Sequence, residues 1–157
     1  MLESCTTAQE RWGGVHKLID RWLAERKQLV KQYTQLREAA ETGKASDATL
    51  ESFCDILVDY VSAGHFEVYE QLIREAEAFE DQGGLALARQ VYPRIETITQ
   101  SAVEFNDLYG RAGSDDDMEQ MHDRLLRLGG LLHERFELED CLIEVLHTAH
   151  QDILSAS

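Results

Sequence analysis

The stretch WGGVHKLIDRWLAERKQLVKQYTQL, residues 12–36, decides the fold. Its large apolar residues fall at Trp12, Val15, Ile19, Trp22, Leu29, Tyr33 and Leu36, alternately three and four apart, with one vacancy at Arg26. That spacing puts them on one stripe of an amphipathic helix. The pattern returns three times. It runs through Leu50, Phe53, Leu57, Tyr60/Val61, Gly64, Val68 and Leu72, then Leu85, Ala88, Val91, Ile95, Ile98, Ala102, Phe105 and Tyr109. The last run takes Met118, Met121, Leu125, Leu128, Leu132, Phe136, Ile143, Leu146 and Ile153, with Glu139 in a seam position. Four long amphipathic segments joined by short polar connections predict an all-α, up-down antiparallel helical bundle. The 157 residues include a single proline and suit one domain spanning residues 1–157.

Boundary signals are uneven. Thr7 and Glu10 have the spacing of a capping box for the first helix. Gly13-Gly14 would cost ~2 kcal/mol inside a helix, so a break or a close backbone approach is expected there. Residues 42–47 read as a loop, with Ser46 or Asp47 capping the second helix. That helix is expected to reach about Asp81 and stop at Gln82-Gly83-Gly84. Gly64 permits a kink or a close crossing, and Pro93 should kink or divide the third segment. Gly110–Asp117 reads as a loop in which Ser114 and the following aspartates cap the last helix.

No run approaches ~18 apolar residues, so no membrane span is expected. Residues 1–10 lack the basic flank and apolar core of a signal peptide. Cys5, Cys54 and Cys141 are too far apart for a zinc or redox pair, which suits reduced thiols in a cytoplasmic protein. The net charge is −15. Residues 1–40 hold seven Lys or Arg against five Asp or Glu, so the rest of the chain carries −17. Such a surface disfavours direct binding to nucleic acid and attracts basic partners, although acidity also serves solubility alone.

Catalytic signatures are missing: no nucleophile elbow, phosphate-cradling glycine loop or cysteine–histidine pair occurs. The reading is therefore not an enzyme, with no cofactor. His133 and Glu137 make half of a di-iron pattern, and His65 with Glu70 a looser one. No second half converges on them, so no metal ligands are assigned. A hemerythrin-like metal bundle remains the alternative from a different class, and an acidic adaptor for some other basic protein is another.

Polar residues within seams carry more information. Arg26 and Glu139 either meet, if the first and last helices are neighbours, or reach water at the bundle edge. Asp59, Ser62, His65 and Tyr69 follow at intervals of three, three and four, one stripe beside the apolar seam. That stripe reads as a recognition surface or as a solvated helix face.

Three segments together resemble the Rsd/AlgQ family of bacterial sigma-factor regulators: residues 18–23 (LIDRWL), 58–66 (VDYVSAGHF) and 135–140 (RFELED). The opening residues 1–16 are similar to the AlgQ branch in particular. The resemblance covers essentially the whole chain and implies an anti-sigma factor that works by stoichiometric binding. Its partner would be region 4 of the primary, sigma-70-type factor, a basic helix-turn-helix that reads the promoter −35 element and docks on core RNA polymerase. Sequestering it lowers housekeeping transcription, and the AlgQ branch is associated with alginate control. A cytoplasmic monomer in a 1:1 complex is the expected form. The resemblance places partner contacts at Asp20, Asp59, Tyr60, His65, Phe66 and Tyr69, with Glu139 and Asp140 added from the last helix.

Overall fold

The computed structural model describes the backbone of residues 2–110 and 118–148 and the side chains of residues 15–110 and 118–148. Helix α1 spans Leu2–Glu41, α2 Asp47–Ala63, α3 Tyr69–Ala78, α4 Gln82–Tyr109 and α5 Met118–Ile143. A π-helical turn, Gly64–Val68, joins α2 to α3 without a loop, and a second one, Glu144–Thr148, extends α5. The result is four rods, and every regular element among the described residues is helical.

Contacts along each interface run in opposite directions. Between α1 and α5, His16 meets His147, Arg26 meets Asp140, and Tyr33 reaches the Leu125 carbonyl. Trp22 meets Tyr60 and Gln32 meets Ser52 between α1 and α2. Phe53 packs on Phe105 and Tyr69 on Tyr92 along α4, while Arg94 joins α4 to Glu134 of α5. The rods thus close a ring in the order α1, α2–α3, α4, α5. That is the up-down bundle the four seams predict. Leu29, Leu36, Phe53, Leu57, Ile98, Ala102 and Leu125 are fully buried at its centre. Cys54 lies among them, its thiol pushed up to about 12 by burial, while Cys141 is exposed; both are free. No helix among the described residues is long and apolar enough to cross a membrane.

The boundaries both follow and correct the sequence signals. Ser46 caps α2, its hydroxyl accepting the Thr49 N–H at 3.2 Å. Helix α1 begins at Leu2, so Thr7 lies inside it and not at its start. It also runs unbroken through Gly13-Gly14. The propensity cost of two glycines is outweighed where the rest of the stripe packs on neighbouring helices. Helix α3 ends before the glycines, at Ala78. Its stop is Glu80, held at φ 54°, with the Asp81 N–H bonded back to the Ala76 carbonyl at 2.9 Å. This is the Schellman closure that glycine usually supplies. Gly83 and Gly84 instead open α4, where Asp81 accepts the Gly84 N–H at 2.8 Å. A Cβ on Gly84 would stand 2.5 Å from the capping Asp81 carboxylate and 2.6 Å from Leu146 at the end of the last rod, so the cap and the packing together crowd that position. Pro93 does not divide α4. It sits on the exposed face, where the Arg89 carbonyl deprived of its donor can face water. Ser114 with its aspartates and Ile153 lie outside the described residues.

Candidate partner-binding surface

The α2–α3 rod departs from α-helical geometry at one place, and three rods converge there. Gly64 opens the π turn, and a Cβ added to it would lie 2.9 Å from the Trp22 ring of α1 and 3.2 Å from Arg135 Nη2 of α5. Trp22 stacks on Tyr60 with ring centroids 4.9 Å apart and planes 5° from parallel. Two arginine–tyrosine arms then meet on one carboxylate. Arg26 Nε donates to the Tyr60 hydroxyl at 3.0 Å, which donates to Glu139 Oε1 at 2.9 Å. Arg135 Nη2 donates to the Tyr69 hydroxyl at 3.0 Å, which donates to Glu139 Oε2 at 2.7 Å. The guanidinium groups stand 3.7 Å and 3.5 Å from the same carboxylate oxygens. Burial pushes the Glu139 carboxyl above the usual range, while Arg135, the Tyr69 hydroxyl, Arg26 and the Tyr60 hydroxyl pull it back. Burial likewise drives both tyrosines well above theirs, so their hydroxyls stay protonated donors. The vacancy at Arg26 and the charge at Glu139 are thus two halves of one contact, closed toward solvent by Arg26 Nη1 on Asp140 at 2.6 Å.

Over this support lies the exposed face. Phe66, in the π turn, is 70% open to solvent, the most exposed of the large apolar side chains among the described residues. Asp59 is exposed, and Ser62 and His65 are half-buried. The Glu25 carboxyl of α1 is raised by burial and by the negative charge of Asp59 and Glu67, so these three acids form one field beside the turn. His65 hydrogen-bonds the Tyr92 hydroxyl through Nδ1 at 2.8 Å and stacks on its ring. From Phe66 a groove of about 770 Å³ runs between α3 and α4 over Tyr69, Ile73, Leu85, Ala88 and Tyr92.

A family model described as "Regulator of RNA polymerase sigma(70) subunit, Rsd/AlgQ" matches residues 1–147. The chain belongs to this family. It is similar to proteins named "Regulator of sigma D": 37% identical over 149 residues to that of Yersinia enterocolitica, covering 92% of this chain and 89% of the relative. The corresponding Enterobacter protein is 39% identical over 149 residues, covering 91% of this chain and 88% of the relative. As a member of the Rsd/AlgQ family the chain is an anti-sigma-70 regulator of transcription, and the family is one of regulators rather than enzymes.

Of the contact residues that the resemblance implies, Asp59 and Phe66 are exposed and His65 is half-buried in the free protein. Tyr60, Tyr69 and Glu139 are 0%, 4% and 1% exposed in the free protein and brace the turn from inside, with Tyr69 at the floor of the groove. Tyr69 leaves the stripe because the π turn takes more residues per turn than the 3.6 that the spacing assumes. Asp140 is exposed but engaged with Arg26. Asp20 is exposed beside His16, 3.5 Å away, and the α1 carboxylate that feels Asp59 is Glu25. His133 and Glu137 make an exposed pair at 3.0 Å, and among the described residues no group of three or more His, Cys, Asp or Glu could hold a metal. Sequence reading missed Arg135, whose signal was its i,i+4 relation to Glu139. It also missed the buried Glu75–His147 contact at 2.8 Å, which His16 extends at 3.2 Å.

Proposed function

We propose that this Rsd/AlgQ protein binds region 4 of the primary sigma factor as a monomer, one to one, through the face carrying Asp59, Ser62, His65 and Phe66. The observation that carries the reading is Phe66, a large apolar side chain held in solvent beside a field of carboxylates, on a turn braced from within. Exposed aromatic anchors next to charge are what protein recognition sites use: the ring supplies binding energy and the charges guide approach. A helix-turn-helix that reads DNA presents basic side chains to phosphate. An acidic face covering them competes with the promoter without reproducing its shape. Binding alone accounts for regulation, because sigma held this way reaches neither the −35 element nor core polymerase. The compartment is that of transcription, the cytoplasm.

Titration of isolated sigma region 4 into the protein, followed by stopped-flow association at several salt concentrations, tests this. The Debye length shortens from about 30 Å at 0.01 M to about 8 Å at 0.15 M, so steering by the acidic face is screened over that interval. The association rate is expected to fall severalfold across it, with dissociation changing less. A complex forming at a salt-independent rate removes charge from the mechanism. Absence of any complex removes region 4 as the partner.

A further inference from the structure

Two buried donors reach the backbone where the π turn begins. In an α-helix each carbonyl meets the N–H four residues on. Here the Gly64 N–H is shared between the Tyr60 and Val61 carbonyls, and beyond it the Tyr69 N–H returns to Gly64, five residues back. One helical N–H thus serves two carbonyls at the entrance, and each carbonyl keeps a lone pair for a second donor. Trp22 Nε1 donates to the Tyr60 carbonyl at 3.1 Å, and Arg135 Nη2 donates to that of Val61 at 3.4 Å. Trp22 and Arg135 are 2% and 0% exposed, so neither can touch a partner.

We infer that Trp22 and Arg135 are positioning residues that select the π turn over a continuous α-helix and so fix Phe66 beside Asp59 for the sigma factor. The inference rests on the surface reading above. In a regular helix through residues 60–69 the Gly64 N–H would serve the Tyr60 carbonyl alone. Such a helix would also rotate Phe66 relative to Asp59 and turn the entrance carbonyls back along the helix axis, away from the two buried donors. An unsatisfied buried donor is unfavourable, so the donors from α1 and α5 bias the rod toward the π form. Gly64 makes the bias possible, since any side chain there would meet the Trp22 ring and the Arg135 guanidinium. Fixing the turn before binding spares the complex the cost of ordering it.

The test removes the Trp22 donor and keeps its ring. Trp22→Phe is one variant. The other carries 3-benzothienylalanine at position 22, with sulfur in place of the indole N–H and nearly the same shape. Amide hydrogen exchange is read on the free proteins, and affinity is measured against isolated sigma region 4. Exchange is expected to quicken by about tenfold or more at residues 64–69 and to stay unchanged in the α1–α5 core, while affinity falls by about tenfold, the scale of one lost buried hydrogen bond. The benzothienyl variant should melt where the wild type does. An unchanged exchange profile at 64–69 overturns the inference, as does faster exchange spread evenly through the bundle with affinity falling in step. If wild-type protein fails to bind region 4, the surface reading falls. The exchange profile of the free protein then decides the positioning role alone.

Discussion

Phe66→Ala is expected to weaken binding to the sigma factor by about 2–4 kcal/mol, a loss of roughly thirtyfold to a thousandfold, and to leave the free protein's stability unchanged. The two halves of that expectation have separate grounds. Phe66 is 70% exposed, so truncating it removes little buried surface from the fold. In a complex the same ring would be desolvated at the centre of the face, between the Asp59–Glu67 field and the groove over Tyr92. Asp59→Ala should act on the same partner through charge, mostly on the association rate if the carboxylate stays at a wet rim. Affinity by calorimetry and melting by circular dichroism, on one preparation of each variant, separate the roles. Unchanged affinity in Phe66→Ala takes the ring out of the interface. A lowered melting temperature makes it part of the scaffold.

Glu139→Ala is expected to cost about 3–5 kcal/mol of folding stability, the scale for removing one partner from a buried ion pair. The carboxylate receives both tyrosine hydroxyls and lies within 4 Å of both guanidinium groups. Its removal strands the fully buried Arg135 charge and leaves two interior hydroxyls to donate elsewhere. Against a typical total of about 5–15 kcal/mol, that is a large share of the fold's stability. Glu139→Gln keeps an acceptor without the charge and should fall between. Replacing the pair together, Arg135→Met with Glu139→Leu, should recover only part of the stability: the Arg135 charge is no longer stranded, but the two tyrosine hydroxyls and Arg26 still lose their acceptor. The recovered protein should still bind sigma poorly, having lost the donor to the Val61 carbonyl. Denaturant titration of the three variants reads the order directly. A Glu139→Ala protein as stable as wild type would mean that the network contributes nothing to the fold.

The seams were legible because burial in a bundle imposes a period that survives in the sequence: Val15, Ile19, Trp22, Leu29 and Leu36 are all interior. The contact between Arg26 and Glu139 was half legible. Each stood out as a charge in an apolar row, yet their meeting depends on α1 lying beside α5, which local sequence does not encode. The π turn was not legible. Residues 59–69 satisfy an α-helical stripe equally well, and what favours the wider turn is donated by Trp22 and Arg135 from helices distant in sequence. That Tyr60 and Tyr69 lie inside the free protein was not legible for the same reason. An aromatic hydroxyl is a surface feature until a buried acceptor is found for it, and Glu139 comes from another helix. Gly83-Gly84 misled in the opposite sense. Glycine marks helix ends by conformation and close contacts by size, and only the crowding of Gly84 by Asp81 and Leu146 tells which applies.

The central claim is that sigma region 4 is held on the face around the π turn. Amide hydrogen exchange of this protein, free and saturated with isolated region 4, tests it most directly. The account predicts added protection in residues 58–69, with changes in α1 near Glu25, and none in the α4–α5 face around Leu108 and Leu131. Protection confined to that opposite face, or a complex that leaves residues 58–69 exchanging as in the free protein, would contradict it.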